Sequence, residues 1–391
     1  MIRFEEALRI VLDEARPLPA ERVELADALK RILAMDVASD LDMPPFDKSK
    51  MDGYACRRAD LGQTLHVLET IPAGRQPTQR IGPGQCSKIM TGAPVPEGAD
   101  CVIIVECTES CGEDAIRFTG EHTQGNICIK GEDIRTGDIV MRRGTRILER
   151  HVAVLATVGC ARPLVARRAK VGILATGDEL VDPHRVPGLS QIRDSNTVQL
   201  HAQVLRVGAI PTCYAIARDN EAVLTERIRR AVAENDVVLL SAGVSVGDYD
   251  FGPHVLRSLG FELLFDKVAI KPGKPTVFAR SPDCYCFGLP GNPVSTFVQF
   301  ENLVKPFLFK LMGHDYHPFI VPLRLGSTVR QKEADRASWI PVALTSKGVV
   351  TPIEYHGSAH LTALCGAVGL ICIPFGVHEI VEGTTVDVRQ L

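Results

Sequence analysis

DVVLLSAGVSVGDYDFG, residues 236–252, decides the fold. It opens with an unbroken apolar run, Val237-Val238-Leu239-Leu240, the pattern of a strand buried on both faces. The run stops at Ser241, and small residues follow at Ala242, Gly243, Ser245 and Gly247, which let a backbone approach a ligand closely. Asp248 and Asp250 come next, where a helix is expected to start, with Asp250 as its N-cap. In open parallel sheets, ligands gather outside the carboxyl ends of the strands. A buried strand, a small-residue loop and a helix therefore predict a pocket; the bland alternative is a tight strand-to-helix turn.

The flanking sequence alternates in the same way from Ala169 onward. KVGILAT reads as a buried strand ending in Gly177-Asp178-Glu179. Ser195 or Asn196 caps a helix through Leu200, Val204 and Leu205 to Gly208. AIPTCYAIA reads as a strand, and Asp219 caps the next helix. ELLFDKVAI is a strand running into Lys271-Pro272-Gly273-Lys274-Pro275. TVFAR and YCFGL form a hairpin, and Pro290-Gly291-Asn292-Pro293 leads into a long helix, Val294 to Met312. This is a doubly wound α/β domain.

The remaining chain has a different texture. Residues 4–14 form an amphipathic helix, and a second short helix is expected at Ala26 to Leu33. LDMPPFDKSKMDGYA, residues 41–55, reads as a fixed, charged loop. Residues 56–140 break into short strand-like runs punctuated by Gly and Pro, an inserted small β unit, with Thr91 in the turn Met90-Thr91-Gly92-Ala93-Pro94. Leu148 to Val158 reads as a helix ended by Gly159. After His317 come five strands and a short helix near His360 to Cys365, a separate β domain.

Composition narrows the function. A net charge of −3 gives no global basic field for nucleic acid. No 18-residue apolar span exists, and the N-terminus lacks the basic start and apolar core of a signal peptide. The twelve cysteines include no C-x-x-C pair, so reduced thiols in a cytoplasm are expected rather than a zinc site. His356 and His360 lack the intervening Glu of a metalloprotease. Neither G-x-x-x-x-G-K-[ST] nor a strand-linked G-x-G-x-x-G is present.

Glu179, Asp219, residues 241–250, Lys271 with Lys274, and residues 290–293 all fall at strand ends and should converge on one crevice. Backbone amides above a helix start make a nest for phosphate. Two lysines in K-P-G-K-P add fixed positive charge, and the carboxylates offer a divalent-cation site or a means to position water. Asp219 serves equally as a structural cap, and Lys267, beside Asp266, as a surface charge. Together these are the parts for handling a phosphate-bearing ligand with Mg²⁺.

SAGVSVGDYD, KPGKP and GLPGNPVS, in that order, resemble a molybdopterin-binding domain. SKMDGYA, IMTGAPVPEGAD, ATGDEL and IRDSN extend the match, so the whole chain resembles the molybdopterin molybdenumtransferase, or molybdenum insertase, family, whose fold is shared with the C-terminal domain of gephyrin. The resemblance implies multidomain α/β plus β architecture in four domains: 1–53 with 141–168, helical and dimer-forming; the inserted β domain 54–140; the α/β domain 169–316; and a C-terminal β-barrel, 317–391. It implies a cytoplasmic homodimer that inserts molybdate into adenylylated molybdopterin with Mg²⁺-assisted release of AMP. Implied partners are the molybdopterin adenylyltransferase and apo-molybdoenzymes, with no nucleic acid and no membrane.

By motif, the implied catalytic residues are Asp52, Asp219, Asp250, Lys267 and Lys271. Substrate contacts fall on Thr91, Glu179, Ser195, Asn196, Ser241 and Gly243, on Ser245, Gly247 and Asp248, and on Pro290, Gly291 and Pro293. Molybdate falls to Lys271, Lys274, Arg336 and Ser358, and the metal to Glu179 and Asp250. The chain departs from the family pattern at Ala242 in S-G-G-V-S, Cys128 in N-I-R and Asn220 in R-D-D. It also carries Pro341 at the second Arg of G-R-x-x-F-x-R, leaving Arg336 to supply that charge. The competing readings are a non-catalytic molybdopterin-binding or scaffolding paralogue and the adenylylating enzyme of the same pathway. The first is disfavoured because Asp52, Asp250 and the KPGKP lysines are retained; the second, because the flanking domains are extra.

Overall fold

A computed structural model describes residues 1–218, 220–243, 252–354 and 357–391. Asp219, Ser245, Gly247, Asp248 and Asp250 lie outside them. The chain forms two compact bodies: Met1–Ala34 with Gly144–Leu148 and Leu164–Leu391, and Met35–Arg143 with Glu149–Pro163.

At the centre of the first body is a six-stranded sheet: β1 Lys170–Ala175, β2 Ile210–Cys213, β3 Val237–Ser241, β4 Glu262–Phe265, β5 Val277–Arg280 and β6 Tyr285–Leu289. Its order is β2-β1-β3-β6-β5-β4. The first four strands are parallel, and β5 and β4 are added by antiparallel pairing. The two-sided burial expected of β3 is what the packing shows. Val237 and Leu239 face a core with Leu200, Val204, Phe300 and Leu303, while Val238 and Leu240 face one with Leu224, Ile228, Val255 and Leu256. Each such side chain contributes about 1.5–3 kcal/mol by leaving water. Because β2 and β3 lie on opposite sides of β1, the topological switch point opens at the carboxyl ends of β1 and β3.

Helix Phe4–Glu14 forms where the apolar spacing predicts it and buries Ala7 and Val11 against the same core. The long helix is continuous from 293 to 311 but carries a π turn at Phe300–Val304. That turn brings polar groups into the core: Lys305 pairs with Glu301 at 2.7 Å, and Arg389 donates to Asn302 Oδ1 at 2.6 Å and to the Glu301 carbonyl at 2.7 Å.

Several local expectations are corrected. Residues 26–33 hold only a 3₁₀ turn, Leu25–Asp27, because Ile32 and Leu33 bridge to Arg146 and Val165 in extended pairing. ELLFDKVAI is two strands. Glu262–Phe265 stays in the central sheet, while Ile270–Lys271 leaves it to pair in parallel with Ala337–Ser338. The helix after β1 is not capped by the side chain of Ser195 or Asn196; Asp194 Oδ1 accepts from the Thr197 amide instead, at 3.0 Å. The Glu221–Glu234 helix is capped by Asn220, whose side chain accepts from the Val223 amide; Asp219, the cap expected from the sequence, lies outside the described residues.

The C-terminal strands follow the expected order, Ile320–Arg324, Ala337–Leu344, Val350–Pro352, Gly369–Ile373 and Thr385–Gln390. A single bridge from Leu325 to Val350 joins the two ends of the ladder, giving a barrel-like closure.

The second body is built on a six-stranded sheet in which Gly53–Cys56 lies between Gln85–Ile89 and Cys101–Ile104. The 41–55 segment is therefore not all loop: Lys48–Ser49 also pairs, with Ile127–Cys128. Cys56, Cys86 and Cys101 are directly opposite one another and fully buried, acting as small hydrophobes. All twelve cysteines are free. Among the described residues no helix is long and apolar enough to cross a membrane.

Candidate functional site

Three loops meet at the switch point. Asn196, buried at the start of its helix, donates to Ser241 Oγ at 2.8 Å and to the Gly291 carbonyl at 2.7 Å, tying the ends of β3 and β6 together. The Ala242 amide donates to the Leu289 carbonyl at 3.0 Å. A Cβ on Gly243 would sit 2.7 Å from Thr176 Cγ2, and one on Gly177 would sit 2.4 Å from Glu179 Oε2. The glycines are thus required by close approach, and Glu179 is folded back over the end of β1. Ala242 has φ +71°, a left-handed conformation that a Cβ disfavours by roughly 1–2 kcal/mol. The methyl that departs from the family pattern therefore sits at a strained position. Among the described residues no group of three or more His, Cys, Asp or Glu is arranged to hold a metal ion.

Beside these loops is a cavity of about 360 Å³ that gathers Lys271, Lys274, Pro290, Asn292, Arg336 and Ser358. Its cations come from separate segments that the fold joins. The strand carrying Lys271 pairs with Ala337–Ser338, which sets Arg336 beside it. Asn292 donates to Ser358 Oγ at 2.7 Å, and the Val294 amide donates to the Ser358 carbonyl at 3.1 Å, fixing the serine over the helix start. Arg336 is held by Glu333 at 3.5 Å and by its neighbour Asp335 at 3.3 Å. Pro341 sits in the sheet opposite Leu370, away from this lining, so the position in doubt from the sequence does not face the cavity while Arg336 does. Lys267 does not line it either; that residue is half-buried, with its carbonyl accepting from the Ile2 amide.

One residue that positions the cavity escaped the sequence reading. Gln299 is fully buried, and its Nε2 donates to the Pro272 carbonyl at 3.1 Å and the Gly273 carbonyl at 3.3 Å. A Cβ on Gly273, at φ +108°, would come within 2.4 Å of that nitrogen. The clue was available: Asn292, Ser295 and Gln299 recur at helical spacing along an otherwise apolar helix.

In the second body, Gly53 lets its strand pass close to the next, since a Cβ there would lie 1.9 Å from the Ile103 carbonyl oxygen. This sets Asp52 at the strand entrance. Asp52 Oδ1 accepts from both the amide and the hydroxyl of Thr91, each at 2.7 Å. Those two bonds, the amide first, hold the Asp52 carboxyl below the usual carboxylate range.

Fold and cavity define a class: a multidomain protein whose α/β sheet presents a switch-point crevice beside a cavity lined by three cationic side chains. Comparison with known proteins agrees. Residues 2–159 match the MoeA N-terminal region (domain I and II), residues 172–310 the probable molybdopterin binding domain, and residues 324–391 the MoeA C-terminal region (domain IV). The chain is 34% identical to molybdopterin molybdenumtransferase from Staphylococcus epidermidis, over 99% of this chain and 95% of that protein. It is 33% identical to the Bacillus subtilis protein of the same name, over 99% and 93%. The crystal structure of the molybdopterin biosynthesis moeA protein from Pyrococcus horikoshii OT3 superposes with a TM-score of 0.86 at 29% identity, covering 100% of both chains. The chain belongs to the molybdopterin molybdenumtransferase family.

Two outcomes are expected. Gln299→Leu strips the Pro272 carbonyl of its buried donor, costing about 1–3 kcal/mol, and loosens the 271–275 turn; a lowered denaturant midpoint is the expected result, and an unchanged midpoint contradicts it. Thr91→Val keeps the amide bond but removes the hydroxyl, so the Asp52 pKa should rise toward its ordinary value in a carbon-13 NMR titration. Because that pKa is lowered in the fold, the stabilisation is present above the ordinary aspartate range and fades as pH falls through the lowered value. The variant should therefore lose stability at neutral pH and not in acid.

Proposed function

We propose that this chain inserts molybdate into adenylylated molybdopterin, releasing AMP, as the enzyme of molybdenum cofactor biosynthesis for which its relatives are named. The observation that carries the proposal is the cavity that collects Lys271, Lys274, Arg336 and the Ser358 hydroxyl. A tetrahedral dianion must be brought up to a substrate that already carries a pyrophosphate. Only fixed cations and donors offset that repulsion, and a rigid turn flanked by prolines keeps them fixed.

In this reading Lys271, Lys274, Arg336 and Ser358 hold molybdate, and the ends of β1, β3 and β6 hold the pterin substrate through Glu179, Asn196, Ser241, Gly243 and Gly291. Ser195, Pro290 and Pro293 frame the same loops, and Ser245, Gly247 and Asp248 keep the substrate-binding roles that the motif implies. Asp219, Asp250 and Lys267 keep the roles that the motifs imply. Mg²⁺ would be held by Glu179, with Asp250 as the motif implies, and by substrate phosphates, a sparse protein set of the kind this ion accepts. When bound, it screens the pyrophosphate and eases departure of AMP.

Asp52 and Thr91 act at a cleft completed by a second copy of the chain in a cytoplasmic homodimer of four-domain subunits. The molybdopterin adenylyltransferase supplies the substrate, and apo-molybdoenzymes receive the product. Retention of the KPGKP lysines and of Asp52 supports turnover over a purely scaffolding role.

The test is to mix the purified chain with adenylylated molybdopterin, Mg²⁺ and molybdate and to follow AMP. Molybdate-dependent release is expected, falling about 10²-fold in Lys271→Ala and Arg336→Ala. Release that ignores molybdate, or wild-type rates in both variants, rejects the proposal.

A further inference from the structure

The long helix contains a proline, Pro306, just after its π turn at Phe300–Val304. The Lys305 amide donates to the Phe300 carbonyl, five residues back. The next rung of that ladder would run from residue 306 to the Glu301 carbonyl, and proline has no N–H to donate. Glu301 and Asn302 are buried, so the orphaned carbonyl needs a donor from elsewhere in the fold. Arg389, on the last strand of the C-terminal sheet, supplies it. Its Nη2 donates to the Glu301 carbonyl at 2.7 Å and its Nη1 to Asn302 Oδ1 at 2.6 Å.

Stability alone would not select this arrangement. Asn302 Nδ2 is buried without a hydrogen-bond partner among the described residues, which costs stability. π turns, moreover, are frequent at functional sites. The cationic cavity hangs from the same helix. Gln299, the residue before the π turn, holds the Pro272 and Gly273 carbonyls, and Asn292, at the helix start, holds Ser358. Arg336 takes its acidic partners, Glu333 and Asp335, from its own part of the chain. Its distance from the lysines therefore depends on how the C-terminal strands are fastened to the helix. The Arg389 guanidinium lies 5.8 Å from the centre of the Trp339 ring, three residues beyond Arg336, and Trp339 packs on the cluster of Val294, Val298 and Leu370.

We propose that Arg389 is a positioning residue for the insertion reaction. It locks the C-terminal strands onto the π turn and, through Trp339, steadies the strand that follows Arg336. It thereby sets the distance of the Arg336 guanidinium from Lys271 and Lys274. The inference rests on the insertase reading and adds a residue to its machinery. Two fastenings are needed for this. Ile270–Lys271 bonds to one edge of the C-terminal sheet, and the strand of Arg389 lies three places away in the same sheet. Separated ties resist rotation where one would act as a pivot. A planar guanidinium with two bonds fixes direction as well as distance, which a point charge does not.

AMP release by the full chain is measured with molybdate and adenylylated molybdopterin varied in turn, and molybdate binding is followed by calorimetry. Arg389→Met removes both bonds. Adding Pro306→Ala returns an amide to residue 306 and gives the Glu301 carbonyl a donor of its own. Arg389→Met should lower the denaturant midpoint and raise the KM for molybdate about tenfold, with kcat and the KM for adenylylated molybdopterin within about twofold of wild type. The double variant should recover part of the midpoint and none of the KM. Asn302→Leu removes one bond together with the unpaired nitrogen, so it serves where Arg389→Met does not fold, and it should raise the same KM selectively. A wild-type KM for molybdate in a folded variant, an equal rise for both substrates, or a KM that recovers with the midpoint overturns the assignment. Weaker molybdate binding in folded variants of a chain that releases no AMP keeps the role of Arg389 and rejects the insertase reading. Unchanged binding in those variants, or no molybdate binding by the wild type, rejects the role itself.

Discussion

One backbone pairing organises the chemistry of this protein. Ile270–Lys271 leaves the central sheet and pairs with Ala337–Ser338 of the C-terminal sheet. Without it, the K-P-G-K-P turn would belong to the α/β domain alone and Arg336 to the β domain alone. With it, three cations from two parts of the sequence border one small cavity. Glu333 and Asp335 pair with Arg336, while the lysine-bearing turn and Ser358 are held by uncharged groups, Gln299 under the turn and Asn292 against Ser358. On the proposed reading, a dianion in this space would offset the repulsion among the three cations.

The same body resolves a second conflict, between a ligand-approaching loop and a stable sheet. Asn196 spans the ends of β3 and β6, so the loops that must stay open to a substrate are fixed from beneath. Ala242 shows how far this can be pushed, since an L-residue is kept left-handed there by its neighbours.

Much of this was legible in the sequence. The run Val237–Leu240 announced a strand with two buried faces because four consecutive apolar residues leave no side for water, and at the strand ends Asn196 does join Ser241 to Gly291. K-P-G-K-P stood out because a charged, rigid turn has no folding rationale of its own. Local periodicity failed where the answer depended on distant partners. ELLFDKVAI reads as one strand, but its second half is claimed by a sheet formed about 65 residues later. Residues 26–33 look helical, yet Ile32 and Leu33 are drawn into pairing with 146 and 165. The side-chain caps came from neighbours, Asp194 where Ser195 or Asn196 was expected and Asn220 at the next helix, because several adjacent residues had suitable side chains. The comparison that mattered most, Arg336 against Pro341, was a question of which way a strand faces, and only the register with Leu370 answers it.

The account depends on the cavity bordered by Lys271, Arg336 and Ser358 being the place where the metal oxyanion lands. Crystals of the chain soaked in tungstate, a tetrahedral dianion of similar shape with strong anomalous scattering, test this directly. An anomalous peak within hydrogen-bonding reach of the Lys271 ammonium and the Arg336 guanidinium is the predicted result. A fully occupied tungstate elsewhere, with this cavity holding only water, would contradict it.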